Sequence, residues 1–387
     1  MGRFKRSLSG AGGACRLRGD PLWARRLAEC LDVDPNPRLP FTHGFHAYPA
    51  RMHPETASRA LDLFPSGGVF DPFVGSGTTA VECVRRGRPF VGCDISNVAL
   101  EIAWIRTRVL SPGACRRLEA SGHLLAGRAM ADRDRSFPWP LWARRERAWY
   151  APHTLGEILR LHAGILQEKD DLIRRILRGV LSSILVRLSR QESDADPRPR
   201  RDFRPPPRGA AFRAFRDRCT ELSGMLRDLS SDLLRRRVPF VEPQFHRADS
   251  RRDLLPAASV GLVLTSPPYA GVYDYAVHQE RRYPIFGGGG DFARRCEIGS
   301  RRTGGARYRE DMESSLGAML RALAPGGHLL MLVGDGRVAG RPLRADRLVE
   351  DLCRGLGARV LASASQARRD WAGGPPRDEH LILVVRD

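Results

Sequence analysis

No stretch of this chain constrains its fold more than Asp71-Pro72-Phe73-Val74-Gly75-Ser76-Gly77-Thr78-Thr79. A β-rich run ends at Asp71, a turn with two glycines follows, and 78–83 opens a helical pattern, so the order is strand, glycine loop, helix N-terminus. Glycine tolerates positive φ and lets a ligand approach the backbone, while the unpaired N–H groups of a helix start face whatever binds there. Such a unit suits a cofactor and belongs in an α/β sheet. A phosphate-cradling loop needs Gly-Lys-Ser/Thr, and no lysine stands near Gly77. A dinucleotide site fits locally, because Gly75-x-Gly77-x-x-Ala80 follows a strand and Asp94 lies nineteen residues beyond Gly75.

The rest of the chain alternates in the same way on either side of a long interruption. Strands are expected at 67–73, 88–94, 241–246, 260–265, 328–334, 358–364 and 380–385, with helices at 78–86, 97–109, 311–323 and 343–355. This pattern predicts a doubly wound, mostly parallel, seven-stranded α/β sheet whose ligands lie off the carboxyl ends of the strands. Asp94 then stands at a strand tip, where it either accepts the ribose hydroxyls of an adenosine cofactor or merely caps the next helix. Four regions follow: a basic leader and short helix (1–40), a first, cofactor-binding part of the sheet domain (41–110), a helical basic insertion (111–240) and a second, catalytic part (241–387). Residues 1–20 read as a disordered leader and 21–31 as the short helix.

Within the insertion the strand signals stop and amphipathic helical patterns take over. The run 192–209 carries Pro197, Pro199, Pro205, Pro206 and Pro207 among arginines and reads as a mobile loop. A helical pattern from 212 to 234 ends in Arg235-Arg236-Arg237. The insertion is either a structural cap or the part that recognises a target, and in the second case the triplet meets phosphates.

The formal net charge of +20 and the pI near 10.8 point to a polyanionic partner, nucleic acid first, although nearly all the positive charge is arginine and codon bias contributes. Eight cysteines are scattered without Cys-x-x-Cys or paired histidines, so no metal site is expected and the thiols read as reduced. The basic N-terminus lacks the apolar run of a signal peptide, and a cytoplasmic protein is expected.

Far downstream, Leu264-Thr265 leads into Ser266-Pro267-Pro268-Tyr269. Together with the DPF-x-GSGTT loop, this tetrapeptide resembles the S-adenosylmethionine-dependent amino-methyltransferases, which methylate exocyclic amines of bases. The resemblance covers about 41–110 and 238–387, and it implies a Rossmann-like methyltransferase sheet with S-adenosyl-L-methionine as cofactor. It assigns Asp71, Pro72, Phe73, Gly75, Ser76, Gly77, Thr78 and Thr79 to the methionine end, Asp94 to the ribose and Asp249 to the region of the adenine amine. The segment from Thr42 to Pro54, with Tyr48, packs over the methionine end by the same implication, against a plainer reading as a surface turn. Ser266, Pro267, Pro268 and Tyr269 become the catalytic residues. Ser266 Oγ and the Pro267 carbonyl accept the amine hydrogens, the proline pair fixes the carbonyl, and Tyr269 stacks on a flipped base.

Serine at the first position of the tetrapeptide is similar to the cytosine-N4 DNA enzymes more than the adenine-N6 ones. Carbon methylation would need a nucleophilic cysteine after proline, and no Pro-Cys dipeptide occurs. DNA is therefore the expected substrate, in a restriction–modification or related system. RNA is the alternative, because the RNA amine methyltransferases share the glycine loop and a similar tetrapeptide.

Overall fold

The computed structural model describes residues 10–34, 39–49, 51–133, 138–338, 340–369 and 377–386. Strand β1 (Gly10–Gly19) and helix α1 (Pro21–Leu31) precede α2 (Pro54–Leu63), β2 (Val69–Asp71), α3 (Thr78–Val84), β3 (Phe90–Asp94) and α4 (Asn97–Arg106). The insertion adds α5 (Pro112–Ala131), α6 (Ala143–Glu146), α7 (Pro152–Leu166), α8 (Asp171–Leu188), a hairpin of β4 (Gln191–Ser193) and β5 (Asp196–Pro199), and α9 (Ala210–Arg236). The chain returns through β6 (Gln244–Arg247), β7 (Val260–Thr265), α10 (Tyr275–His278), α11 (Gly290–Cys296) and α12 (Gly305–Ala322). It ends with β8 (Leu323–Gly334), the hairpin β9 (Gly336–Val338) and β10 (Arg341–Leu343), α13 (Ala345–Gly355), β11 (Ala358–Arg369) and β12 (Arg377–Arg386).

The main sheet runs β1-β11-β12-β8-β7-β2-β3-β6. Strand β2 pairs in parallel with β3 and β7, β3 with β6, and β7 with β8; β12 lies antiparallel between β8 and β11. From β2 the chain winds outward to β3 and β6, then crosses to β7 and β8 on the other side. The reversal falls between β2 and β7, and it is at such a reversal that an open α/β sheet leaves a crevice off its carboxyl edge. The glycine loop follows β2 and the Ser-Pro-Pro-Tyr tetrapeptide follows β7, so the two motifs flank that crevice.

Alternation along the strands explains the layering. Val69, Leu262, Leu264, Leu330 and Leu332 bury one face against α1, α2 and α3, while Phe70, Val263, Leu329, Met331 and Val333 bury the other against α12 and α13. The insertion has a core of its own, in which Leu118, Leu155, Ile158, Leu177, Leu181, Phe215 and Leu222 interlock α5, α7, α8 and α9.

Two expectations are corrected. The sheet has an eighth described strand, because Gly10–Gly19, read as part of a disordered leader, pairs antiparallel with β11. An edge strand is held by backbone pairing to its one neighbour and needs no apolar periodicity, so its sequence gave no signal. Residues 1–9 of the expected leader lie outside the described residues. The expected loop 192–209 is partly regular: Ser193 pairs with Asp196 and Gln191 with Pro199 in a hairpin. Proline is tolerated there because the hairpin is a sheet of two edges.

Candidate active site

The glycine loop is fixed from both ends by backbone groups. Asp71 Oδ1 accepts the Phe73 N–H at 3.1 Å and the Thr265 hydroxyl at 2.6 Å, which ties the end of β2 to the end of β7. Gly75 has φ +50° and donates its N–H to Asp94 Oδ2 at 3.0 Å. Gly77, at φ +80°, caps α3, and a Cβ there would lie 2.7 Å from the Ala103 Cβ of α4. The missing side chain lets α3 pack closely on α4, and Gly77 lines neither cleft described below.

Two clefts meet at this point. The first, partly open to solvent, is lined by Phe73, Asp94, Ile95, Asp249, Ser266 and Pro268 among others. The second is lined by Asp71, Ser76, Thr78 and Thr79 together with Arg51 and Met52. Tyr48, Phe73, Gly75 and Ser266 line both, so the clefts share a wall. Pro72 lines the first cleft, whereas Pro267 is buried and lines neither.

Each carboxylate has a distinct state. Burial raises Asp94 to about 6 against the backbone hydrogen bonds that favour its charge, including one from Ser96 N–H at 2.8 Å. Both of its oxygens keep a lone pair beyond the one used by the backbone. Burial likewise raises Asp71 to about 6, opposed by Thr265 and Phe73. Burial also opposes the charge on Asp249, but hydrogen bonds and attraction from Arg251, 2.5 Å away, hold it below the usual carboxylate range. Arg251 also pairs with Asp311 at 2.6 Å, so the Asp249 carboxylate is engaged within the protein although it lines the cleft.

The tetrapeptide divides. Ser266 opens into both clefts, and Pro268 lines the first while its carbonyl accepts the Tyr308 hydroxyl at 2.9 Å. Tyr269 lines neither cleft; its ring packs on Gly334, where any Cβ would fall 2.3 Å from Cε2, and its hydroxyl donates to Glu379 at 3.2 Å.

Several lining residues carried no sequence signal. Tyr275, Tyr283 and Glu297 close the first cleft from the segment after the tetrapeptide. Burial raises Glu297 to about 7. Arg51 in the second cleft donates one N–H to the His43 carbonyl at 2.8 Å, and its Nε is buried without a partner among the described residues. Arg51 stood in the stretch singled out between Thr42 and Pro54, yet only the fold turns its guanidinium into the cleft.

This arrangement fits S-adenosylmethionine in its donor set. The first cleft offers a carboxylate at a strand tip for vicinal hydroxyls and apolar walls for a purine, and the second offers hydroxyls, loop backbone and an unsatisfied guanidinium for an amino acid. Residues 35–104 match the family model of the N6/N4 DNA methylases. A stretch of this chain is 32% identical over 81 residues to Type II methyltransferase M.MvaI of Kocuria varians, covering 20% of this chain and 18% of that protein. It is also 32% identical over 93 residues to Type II methyltransferase M.MjaII of Methanocaldococcus jannaschii, covering 22% and 18%. The match thus spans about a fifth of the length of these relatives. Among solved structures, TrmN from Thermus thermophilus aligns over 87% of this chain and 49% of that one, at 13% identity and a TM-score of 0.33. The assignment rests on the matched segment and on the strand order, not on that likeness.

Proposed function

We propose that this protein is an S-adenosylmethionine-dependent DNA methyltransferase that acts on an exocyclic base amine, cytosine N4, in a restriction–modification or related system of the cytoplasm. The observation that carries the reading is that Ser266 and the glycine loop, 190 residues apart in sequence, open into the same pair of clefts at the winding reversal of the sheet. No helix among the described residues is long and apolar enough to cross a membrane.

S-adenosylmethionine, when bound, supplies a methyl group on a sulfonium, a leaving group that needs neither metal nor covalent help. Asp94 would hold the ribose hydroxyls, and Arg51 with Thr78 and Thr79 the amino-acid end, in the two clefts whose shared wall carries Ser266. A base amine is a poor nucleophile because its lone pair is delocalised into the ring. Ser266 Oγ, open to both clefts, would accept a hydrogen bond from an amine N–H and favour the tetrahedral nitrogen that attacks, the proton shed on methylation leaving to solvent, while Pro267, which lines neither cleft, would hold the turn. With Tyr269 packed on Gly334, the aromatic walls left to a flipped base are Tyr48, Phe73, Tyr275 and Tyr283.

The test is mass spectrometry of nucleosides from DNA and RNA incubated with the purified protein and cofactor. N4-methylcytosine in DNA is expected, and Ser266→Ala should abolish it while leaving cofactor affinity within about twofold, since uniform binding does not run through that hydroxyl. N6-methyladenine, or methylation confined to RNA, would replace the substrate while keeping the chemistry.

A further inference from the structure

The insertion carries two arginine-rich stretches, and the fold places them at opposite edges of the sheet. Arg235-Arg236-Arg237 ends α9 beside the C-terminus of α3: Arg236 donates to the Arg85 carbonyl at 3.1 Å, and the following Val238 and Pro239 touch Gly87 in the turn before β3. That turn is separated from the strand tip at Asp94 by the full length of β3, about 16 Å at 3.3 Å per residue. Two of the triplet are also engaged internally, with buried Asp232 taking Arg235 at 2.8 Å and Arg236 at 3.3 Å besides Arg85 at 3.4 Å.

The stretch 198–208 stands on the other edge. Its hairpin packs behind the wall of the first cleft, where Asp194 accepts from Arg282 and the Ala195 carbonyl lies 3.1 Å from His278 Nε2. Arg282 is fully buried and directly precedes Tyr283, a residue of that wall. The far end is pinned as well. His153 Nε2 donates to the Pro206 carbonyl at 2.8 Å, and Glu157 accepts the N–H groups of Gly209 at 2.5 Å and Ala211 at 3.0 Å. Between these anchors Pro205-Pro206-Pro207 fix the backbone. Arg201, Arg204 and Arg208 are exposed there, and none has an ion pair with a described residue.

We infer that this pinned arm, with Arg201, Arg204 and Arg208, is the surface that holds the phosphates of duplex DNA beside the methyl-transfer cleft, and that the basic triplet at the end of α9 is structural. A chain anchored at both ends presents its charges without first losing much conformational entropy, which suits it to gripping a backbone. The inference rests on the reading of DNA as substrate and adds where the duplex lies.

The experiment measures affinity of the full chain for a fluorescein-labelled duplex by anisotropy, from about 50 to 200 mM salt, each contact with a phosphate adding about 0.9 to the slope of log K against log salt. Replacing Arg201, Arg204 and Arg208 together by Ala should reduce the slope by up to about 2.7, with thermal melting unchanged. Replacing Arg235, Arg236 and Arg237 should lower the melting temperature and leave the slope unchanged. A slope unchanged by the arm variant, or reduced equally by the triplet variant, overturns the inference while the methyltransferase reading stands. Arg201→Glu alone provides a second check, expected to weaken binding at every salt concentration. A wild-type protein that methylates RNA and binds no duplex overturns the substrate reading and this inference with it.

Discussion

Arg106 offers the sharpest test of how the glycine loop is held. Its guanidinium is fully buried and donates to the Thr42 carbonyl at 3.0 Å, the Ser76 carbonyl at 2.6 Å, the Ser76 hydroxyl at 2.8 Å and His43 Nδ1 at 3.0 Å. A guanidinium can only donate, so Nδ1 must be the accepting nitrogen and Nε2–H must donate to Glu82, 2.9 Å away. Burial accordingly holds His43 down at about 4, and although burial opposes the Glu82 charge, the His43 hydrogen bond and Arg85 and Arg86 bring it to about 2. The chain of contacts runs from the loop residue Ser76 through Arg106 and His43 to Glu82, with no water needed. In Arg106→Met, Ser76 O and His43 Nδ1 lose their donor inside the core, whereas Thr42 O keeps the Phe45 N–H at 3.0 Å.

Each orphaned acceptor costs about 1–3 kcal/mol, and the Ser76 hydroxyl can turn elsewhere. With partial relaxation the loss is about 3–5 kcal/mol, the range for breaking a buried charged network. For a chain of this size that corresponds to a fall of about 6–10 °C in melting temperature, at about 2 °C per kcal/mol. Circular dichroism should show that fall, and calorimetry well below the new midpoint should show weaker cofactor binding, because Ser76 lines the second cleft. Arg106→Lys keeps the charge but not the fork and should lie between. The pH dependence has a definite sign. The unfolded chain protonates His43 near 6.5 and the folded one only near 4, so this group's contribution is full above 6.5 and is lost as pH falls towards 4. A melting temperature within about 1 °C of wild type for Arg106→Met would refute the assignment of the network as a support of the loop.

Two further outcomes follow from the clefts. Asp94 sits at about 6 in the free protein, and ribose hydroxyls donate to its ionised form, so cofactor affinity should rise as pH climbs through 6 and level off above; calorimetry across that range should show the rise, Asp94→Asn should lose that part of it, and a flat wild-type profile would exclude the contact. Arg51→Met should weaken S-adenosylmethionine by about 1.5–3 kcal/mol, the worth of a hydrogen bond to a charged group, and should leave affinity for methylthioadenosine, which lacks the carboxylate, unchanged.

What the sequence revealed of this site is what local spacing can carry. Strand, glycine turn and helix start are contiguous, so the cleft positions of Asp71, Gly75 and Asp94 were legible from residue order, whereas that of Ser266 came from the resemblance of its tetrapeptide to the amino-methyltransferases, at the end of an expected strand. Tyr275, Tyr283 and Glu297 were not, since they reach the first cleft only after the chain has doubled back over the strand ends. Tyr269 was read from its neighbours as a stacking residue, but tertiary packing decides its place: a glycine on the adjacent strand β8 leaves a slot that its ring fills. The segment from Thr42 to Pro54 was open to a plainer reading as a surface turn, yet His43 and His46 are buried, His43 against Arg106 and His46 Nε2 beside Ser182 Oγ at 3.1 Å, which ties the loop's support to α8 of the insertion.

The same distinction governs the arginines. In sequence, three consecutive arginines at a helix end outrank scattered ones among prolines, because charge density is all that order alone displays. In the fold, rank is set by which carboxylates lie near and by which edge of the sheet each stretch occupies. Asp232, one turn back on α9, takes up Arg235 and Arg236 of the dense triplet, and the long helix carries it to the amino edge of the strands. In the sparse arm Arg201, Arg204 and Arg208 make no ion pair with a described residue, Asp202 included, and the arm begins at a hairpin that packs behind the cleft wall. A duplex whose base must reach Ser266 has to lie over the carboxyl edge, since that is where β7 ends. Of the two stretches, the hairpin contacts put only the arm there, and the salt slopes of the two triple variants decide between them.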